Sequence, residues 1–155
     1  MKNKKALREL KQAAFAYCSD SVSARLSRIR SQIQEIEIAL TSETKSSAGD
    51  KHETGRAMLQ LEREKLGVQL ANAERTKEIV SKIKLDSNIH VGLGTMILTE
   101  QNNYFMGISA GECNIAGNSI YCISPATPIG KLLLGKSVGD TFRFDQKDIK
   151  IIGIV

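Results

Sequence analysis

The chain has 155 residues, a charged content of 25% and a formal net charge of +5, so it forms one ordinary domain or two small units and is not a large multi-domain enzyme. Its aromatic content of 5%, with no Trp, disfavours a module that reads nucleic acid by base stacking, and we expect no sequence-specific DNA binding. Three cysteines without a CxxC pair indicate reduced thiols, and no apolar run approaches the length of a membrane span. We therefore expect a cytoplasmic protein with no membrane partner.

Charge and glycine divide the chain into two halves. Residues 1–90 contain 17 basic and 12 acidic residues, whereas residues 91–155 contain five of each. Nine of the 12 glycines and both prolines also lie in the second half. Because glycine and proline favour turns, this distribution predicts a helix-rich first half and a turn-rich second half.

Apolar residues in the first half recur at alternating spacings of three and four, the pattern of a coiled-coil seam. The first seam contains Val22, Leu26, Ile29, Ile33, Ile36 and Leu40, after a shorter series of Leu7, Leu10, Ala14 and Tyr17 that is offset by one residue. The second seam contains Leu59, Leu66, Leu70, Ala73 and Val80. A short Gly-containing break separates them, which predicts an antiparallel hairpin over residues 1–85 with its tip near 46–54. The second arm is expected to span roughly 50 Å at about 1.5 Å per residue.

Beyond Leu85 the apolar period changes to two, which is typical of strands. Short β-type runs are predicted at residues 93–99, 104–108 and 119–123, followed by a hairpin of residues 141–144 and 149–152 around Asp145-Gln146.

One short helix is predicted between these strands. Thr127 is a suitable N-cap, Pro128 suits the first helical position, and Gly135 is a natural stop. The whole chain is therefore predicted to be α+β, with a small antiparallel sheet and one short helix over residues 91–155. About 65 residues is near the lower limit for an independent core, so we expect this domain to pack on the base of the hairpin.

Two segments resemble the bacterial Gre factors (GreA and GreB), a family that rescues backtracked RNA polymerase. The first is Gly49-Asp50-Lys51-His52-Glu53-Thr54, which is similar to the family's tip motif Gly-Asp-Leu-x-Glu-Asn and has its two acids at matching spacing. The second runs from Ser124-Pro125 through a short helix and Gly135-Lys136 to Gly139-Asp140, and it is similar to the C-terminal stretch of the family. Both segments lie at the positions expected for a coiled coil followed by a small globular domain, so the resemblance covers nearly the whole chain.

The resemblance implies a fold and a function. The C-terminal domain is expected to be FKBP-like and to bind RNA polymerase at its secondary channel through Ser124 and Pro125. The hairpin is expected to enter the channel and to lend Asp50 and Glu53 to the polymerase active site, where they help to hold a catalytic Mg²⁺ near the 3′ end of the nascent RNA. This describes a monomeric transcription elongation factor that stimulates transcript cleavage, is not itself an enzyme and has no tightly bound cofactor of its own.

The residues themselves allow two interpretations of the acidic pair. Asp50 and Glu53 are three residues apart and therefore share one face of the first turn of the second helix. Mg²⁺ is commonly bound by one or two carboxylates beside substrate phosphates, so the pair suits a loosely held ion in a two-metal phosphodiester cleavage. The same spacing is also that of a capping box, in which the two acids satisfy the first backbone N–H groups of the helix.

Three other functions compete with cleavage stimulation. One is a secondary-channel regulator that binds the polymerase without stimulating cleavage. Another is an FKBP-like isomerase, which is disfavoured because the chain lacks Trp and a dense aromatic pocket. The third is a Cys–His acyl-transfer enzyme, which would need Cys113 or Cys122 beside His90.

Overall fold

The computed structural model describes residues 3–45 and 49–155, and for residues 43–45 and 49–52 it describes the backbone only. In chain order the elements are α1 (Lys4–Lys45), α2 (Gly49–Lys82), β1 (Met96–Thr99), β2 (Asn103–Met106), β3 (Gly111–Ile115), β4 (Asn118–Ile123), α3 (Pro128–Leu133), β5 (Thr141–Phe144) and β6 (Lys147–Ile154). The predicted α+β class, with two long helices before a small sheet and one short helix, is confirmed. Over the residues described, none of the three helices combines the length and apolarity of a membrane span.

The chain divides into two compact units. The sheet unit contains Met1–Ser21 and Glu78–Val155, and the hairpin unit contains Val22–Lys77. The sheet unit is therefore larger than the predicted domain over residues 91–155, because it includes the start of α1 and the end of α2. This agrees with the expectation that so small a sheet needs the base of the hairpin to complete its core.

The hairpin unit is held by one apolar seam. Four residues of the first predicted seam are buried, namely Val22, Leu26, Ile29 and Ile33, and they are matched on α2 by buried Leu66 and Ala73. Two exposed ion pairs show that the helices run antiparallel: Arg30 pairs with Glu74 at 3.6 Å, and Arg63 pairs with Glu37 at 3.4 Å. The predicted antiparallel hairpin is therefore present in the described residues of this unit.

The six strands of the sheet unit lie in the order β3-β4-β2-β1-β6-β5. The prediction of an antiparallel sheet is wrong in one pairing, because β2 and β4 are parallel. The reason is that β3 lies between them in sequence but pairs on the far side of β4, so the chain returns in the direction of β2.

The two faces of the sheet are covered differently. One face of the sheet forms the main core together with α3. The buried residues of this core are Val91, Ile97, Tyr104, Met106, Ile123, Leu133, Phe142, Ile149 and Ile151. On the other face, Leu7 and Leu10 of α1 line an open cleft of about 370 Å³ together with Met96, Leu98 and Ile120. The central strands therefore have apolar residues on both faces, with α3 on one face of the sheet and the start of α1 on the other.

The start of α1 differs from its predicted pattern. Cys18 is fully buried, whereas Tyr17 is 39% exposed and donates a hydrogen bond from its hydroxyl to the carbonyl of Glu112 at 3.5 Å. Leu10, Ala14 and Cys18 therefore form the buried stripe at spacings of four, and the predicted phase slip after Tyr17 is wrong. Cysteine packs as a small apolar residue here, so its omission from the apolar pattern shifted the predicted stripe by one residue.

Strand β3 was not predicted, although its partner β4 was. Only Cys113 of this edge strand is buried, and Gly, Glu and Asn give the strand little intrinsic β-propensity. The turn that joins β3 to β4 places Ala116 and Gly117 at positive φ angles of 50° and 79°. Alanine rarely adopts that conformation, so the sequence carries a weak turn signal.

Candidate functional site

The predicted acidic tip falls partly outside the described residues. Residues 46–48 are not described, and the side chain of Asp50 is among those for which only the backbone is described. Helix α2 begins at Gly49, so Asp50 and Glu53 both lie in its first turn, and the side chain of Glu53 is exposed. Among the described side chains, no group of three or more His, Cys, Asp and Glu residues is arranged to hold a metal ion. Because the Asp50 side chain lies outside that set, the role of the acidic pair stays a prediction.

Ser124 and Pro125 form a tightly bonded loop between β4 and α3. The Ser124 hydroxyl accepts a hydrogen bond from the Ala126 N–H at 3.3 Å. The Ser124 carbonyl accepts two more, from the Thr127 N–H at 3.2 Å and from the Thr127 hydroxyl at 2.7 Å. Both Ser124 and Pro125 are half-buried, so the loop is fixed by its backbone while part of each side chain faces solvent.

Helix α3 holds this loop in place. Thr127 is its N-cap and accepts from the Gly130 N–H at 3.1 Å, and Pro128 occupies the first turn, which confirms both predictions. A Cβ atom at Gly130 would lie 1.9 Å from the Ser124 carbonyl oxygen, so only glycine allows the helix to approach the loop this closely. Leu133 then anchors the helix in the main core.

The three thiols of the sheet unit form a cluster. Cys113 and Cys122 lie on neighbouring strands with their Sγ atoms 3.9 Å apart, and the third thiol, Cys18, reaches Cys122 from α1. Burial raises the pKa of Cys113 to about 12, and the hydrogen bond with Cys18, together with burial, raises the pKa of Cys122. Both thiols are therefore protonated at neutral pH, which suits packing and not nucleophilic chemistry.

Among the hydrogen bonds of the described residues, that of the His90 side chain goes to Ser137 and not to either cysteine. Its imidazole Nδ1 lies 2.8 Å from the hydroxyl of Ser137, and the residue is exposed, whereas Cys113 and Cys122 are buried. A Cys–His acyl-transfer site needs its base within hydrogen-bond reach of the thiol, and His90 provides no such base for either Cys113 or Cys122.

A buried lysine of α1 could not be anticipated from the sequence pattern. Lys11 is only 2% exposed, and its ammonium donates to the carbonyl of Asp86 at 3.4 Å. Desolvation lowers the pKa of Lys11, and the charge of Asp86 partly offsets this effect. This bond ties α1 to the segment that follows α2, so its role is structural. In the sequence, Lys11 is one of several basic residues in the predicted first helix, and nothing in that pattern indicated that this lysine is buried.

The comparisons with known proteins give structural neighbours only. No protein-family model matches the sequence, and no curated protein matches it. The chain is similar to the structure of GreA factor homologue 1 (Gfh1) of Thermus thermophilus, with 22% identity and a TM-score of 0.37 over 88% of this chain and 94% of that chain. It is also similar to Gfh1 of Thermus aquaticus, with 18% identity and a TM-score of 0.36 over 90% of this chain and 94% of that chain.

Proposed function

We propose that this protein is a transcription elongation factor that binds RNA polymerase at its secondary channel and stimulates cleavage of backtracked nascent RNA. The proposal assigns binding to the sheet unit, through Ser124 and Pro125. It assigns the chemistry to Asp50 and Glu53 at the start of α2, which act beside the 3′ end of the RNA. The protein itself is not an enzyme in this proposal, because the polymerase supplies the active site.

The observation that carries the proposal is the loop at Ser124. In the sequence, this segment carries the more specific of the two resemblances to the Gre factors. In the structure, three hydrogen bonds and the close approach of Gly130 fix the same residues while leaving part of each side chain exposed. A loop that is fixed before binding loses little conformational entropy on association, which suits a recognition element.

The donor chemistry at the start of α2 fits the proposed ion. Oxygen atoms, including those of carboxylates, are the ligands that Mg²⁺ prefers, and the carboxylate-bearing side chain of Glu53 is exposed to solvent. The ion is expected to be bound only in the complex, where it would stabilise charge and activate water. In this proposal the chain supplies two carboxylate ligands, Asp50 and Glu53, from one helical turn, which keeps the spacing between them fixed.

The test is a transcript-cleavage assay with the wild-type protein. A stalled elongation complex of the RNA polymerase from the same cell, in Mg²⁺ buffer, is expected to shorten its RNA much faster when the protein is present. If the protein binds the polymerase but leaves the cleavage rate unchanged, it is a regulator that acts by binding alone. If it does not bind, the proposed function is wrong.

A further inference from the structure

The start of α1 leaves an open apolar cleft against the sheet. The cleft has a volume of about 370 Å³, and all of its lining residues belong to the sheet unit. They are Leu7, Leu10, Met96, Leu98, Asn103, Ile120, Ile152 and Gly153. Clefts of this size with mainly apolar walls are typical of small-molecule sites. Within the described part of the chain, this lining contains no aromatic ring, and its Leu, Ile and Met side chains suit an alkyl chain.

A second cleft of about 280 Å³ adjoins the first. The two clefts share Leu7, Leu98 and Gly153, so together they form one continuous groove, which we call the α1 groove. Lys4 and Arg8 line the second cleft, and they lie one helical turn apart on the same face of α1. The α1 groove is therefore apolar at one end and cationic at the other.

The two cations are free to meet a ligand. Both residues are exposed, and among the described residues neither forms an ion pair with a carboxylate. The neighbouring acid in α1, Glu9, lines a separate cleft beside Ile115. Val155 lines the cationic end, but two backbone hydrogen bonds of 2.9 and 3.0 Å with Met96 hold its backbone against the sheet. Charge complementarity therefore favours an anionic group at this end of the groove.

Gly153 keeps the middle of the α1 groove open. A Cβ atom at this position would lie 3.0 Å from the Leu98 Cδ1 atom, and Leu98 lines both clefts. Any larger residue would therefore occupy the space beside Leu98 that joins the two ends. A single ligand can thus contact both the apolar end and the cationic end.

The length of the α1 groove limits the size of its ligand. Along α1 the groove runs from Leu10 at the apolar end to Lys4 at the cationic end. This distance is about 9 Å at about 1.5 Å per residue. It is the length of a medium-length alkyl chain, whereas a two-carbon acid would reach only one end.

We propose that the α1 groove binds a carboxylate with a medium-length alkyl chain, such as a medium-chain fatty acid. The chain lies between α1 and the sheet, and the carboxylate lies beside Lys4 and Arg8. Removal of the alkyl chain from water supplies most of the affinity, and the two cations fix the orientation. The inference does not depend on the proposed function, because the groove lies on the face of the sheet away from α3 and its test uses no polymerase.

Calorimetric titration of the full-length wild type with octanoate tests the proposal. Octanoate should bind, and methyl NMR signals of Leu7, Met96 and Leu98 should shift most. Acetate has the charge without the chain and should not bind. Octan-1-ol has the chain without the charge, and its Kd should be about fivefold higher than that of octanoate, the scale of exposed charge interactions. The proposal is overturned if octanoate does not bind, if the shifts lie elsewhere, or if octan-1-ol binds equally well.

Removal of the two cations tests the anionic end. Lys4→Gln with Arg8→Gln should raise the Kd for octanoate about fivefold and leave that for octan-1-ol unchanged. Lys5→Gln with Lys131→Gln is the matched control, because it removes the same charge from exposed residues that line neither cleft, and it should bind as the wild type does. Equal weakening by both pairs would show a general effect of net charge and would overturn the assigned site.

A substitution at the apolar end tests the position of the chain. Ile152 lines the groove and is 56% exposed, so Ile152→Glu should keep the melting temperature and raise the Kd for octanoate at least about tenfold. Ile38→Glu is the control, at a residue of the hairpin unit that is 61% exposed, and it should leave the Kd unchanged. Unchanged binding by Ile152→Glu would contradict the proposal.

Vesicles of phosphatidylglycerol distinguish a free amphiphile from a lipid surface, since both present alkyl chains and anionic groups. The wild type should not sediment with such vesicles, because the α1 groove is expected to hold one short chain. Sedimentation with the vesicles that Lys4→Gln with Arg8→Gln abolishes would assign the groove to a lipid surface and overturn the proposal.

Discussion

The hairpin unit and the sheet unit solve the problem of burial in different ways. Over its described residues, the hairpin unit has one seam, so most of these side chains face solvent and a few buried residues, such as Leu26 and Leu66, hold the arms together. The sheet unit has apolar residues on both faces of its central strands, with Met96, Ile97 and Phe105 completely buried. Apolar packing on both faces of a sheet fixes backbone geometry at many points, whereas one seam fixes little beyond the pairing of two helices.

This difference teaches how the proposed function is divided. Binding needs a surface with a fixed shape, and the loop at Ser124 gains one from the capped helix α3 and the core below it. Metal binding at a partner's active site needs carboxylates that are accessible to the ion, and the first turn of α2 exposes Glu53. Chemistry and binding should therefore be separable by mutation.

The largest expected effect comes from neutralising the two acids together. Asp50→Asn with Glu53→Gln keeps helix-capping ability, because Asn caps as well as Asp and Gln replaces Glu in a capping box. Helix content and melting temperature should therefore stay nearly unchanged. Loss of both negative ligands should lower cleavage stimulation by about 100-fold or more, the scale of removing one preorganised charge-stabilising group. RNA shortening in stalled complexes measures the effect.

Two controls decide what that result means. Polymerase binding by the double variant should equal that of the wild type, and raised Mg²⁺ should restore part of the cleavage, because the defect lies in recruiting the ion. Normal cleavage by the double variant would reduce Asp50 and Glu53 to a helix cap. Loss of binding as severe as that expected of Pro125→Glu, a substitution in the loop proposed to bind polymerase, would show that chemistry and binding are not divided between the units.

A smaller effect is expected along the seam of the hairpin unit. Leu26 is 2% exposed, so Leu26→Ala should cost about 2–4 kcal/mol of unfolding free energy, whereas the half-buried Ile36 should cost about 1 kcal/mol when changed to Ala. Ile38→Ala, at a site 61% exposed, should change it by less than about 0.5 kcal/mol. Urea unfolding followed by circular dichroism measures the series. Equal costs at Leu26 and Ile36 would show a seam that is equally buried at both sites, contrary to this contrast.

The sequence predicted most where one physical signal dominates. The seam residues Val22 to Ile33 alternate at three and four, and the cap at Thr127 with Pro128 is a local rule, so both were found. The turn at Asp145 and Gln146 was also found, and both residues have positive φ angles. These features depend on residues that are close in sequence, which is why a single chain suffices to find them.

What the sequence did not predict depends on distant partners. Strand β3 is defined by its pairing with β4, and the parallel pairing of β2 with β4 follows from that same pairing. The burial of Cys18 and Lys11 depends on the sheet that α1 packs against. For the candidate site, the resemblance pointed to Ser124 and Pro125, and their role in binding stays a prediction. The close approach of Gly130 to this loop became visible only when the loop and α3 were seen together.

The smallest expected effect is a difference in how stability depends on pH. The pKa of Cys113 is raised from 9.0 to about 12 in the folded protein, so between these values the folded state binds more protons than the unfolded state. The contribution of Cys113 to stability is therefore complete below pH 9 and is lost as the pH rises toward 12. Cys113→Ala should make the free energy of unfolding fall less between about pH 8 and pH 10 than it does in the wild type. Lys11 acts in the opposite direction, because its pKa is lowered in the folded protein and its titration therefore makes stability rise toward pH 10.5. This contribution of Lys11 is the same in the wild type and in Cys113→Ala, so it does not affect the comparison. The control is Leu26→Ala, a substitution in the hairpin unit, which should leave the slope of unfolding free energy against pH as it is in the wild type. If Leu26→Ala flattens that slope as much as Cys113→Ala does, the thiols of the sheet unit are not the cause of the loss of stability at alkaline pH.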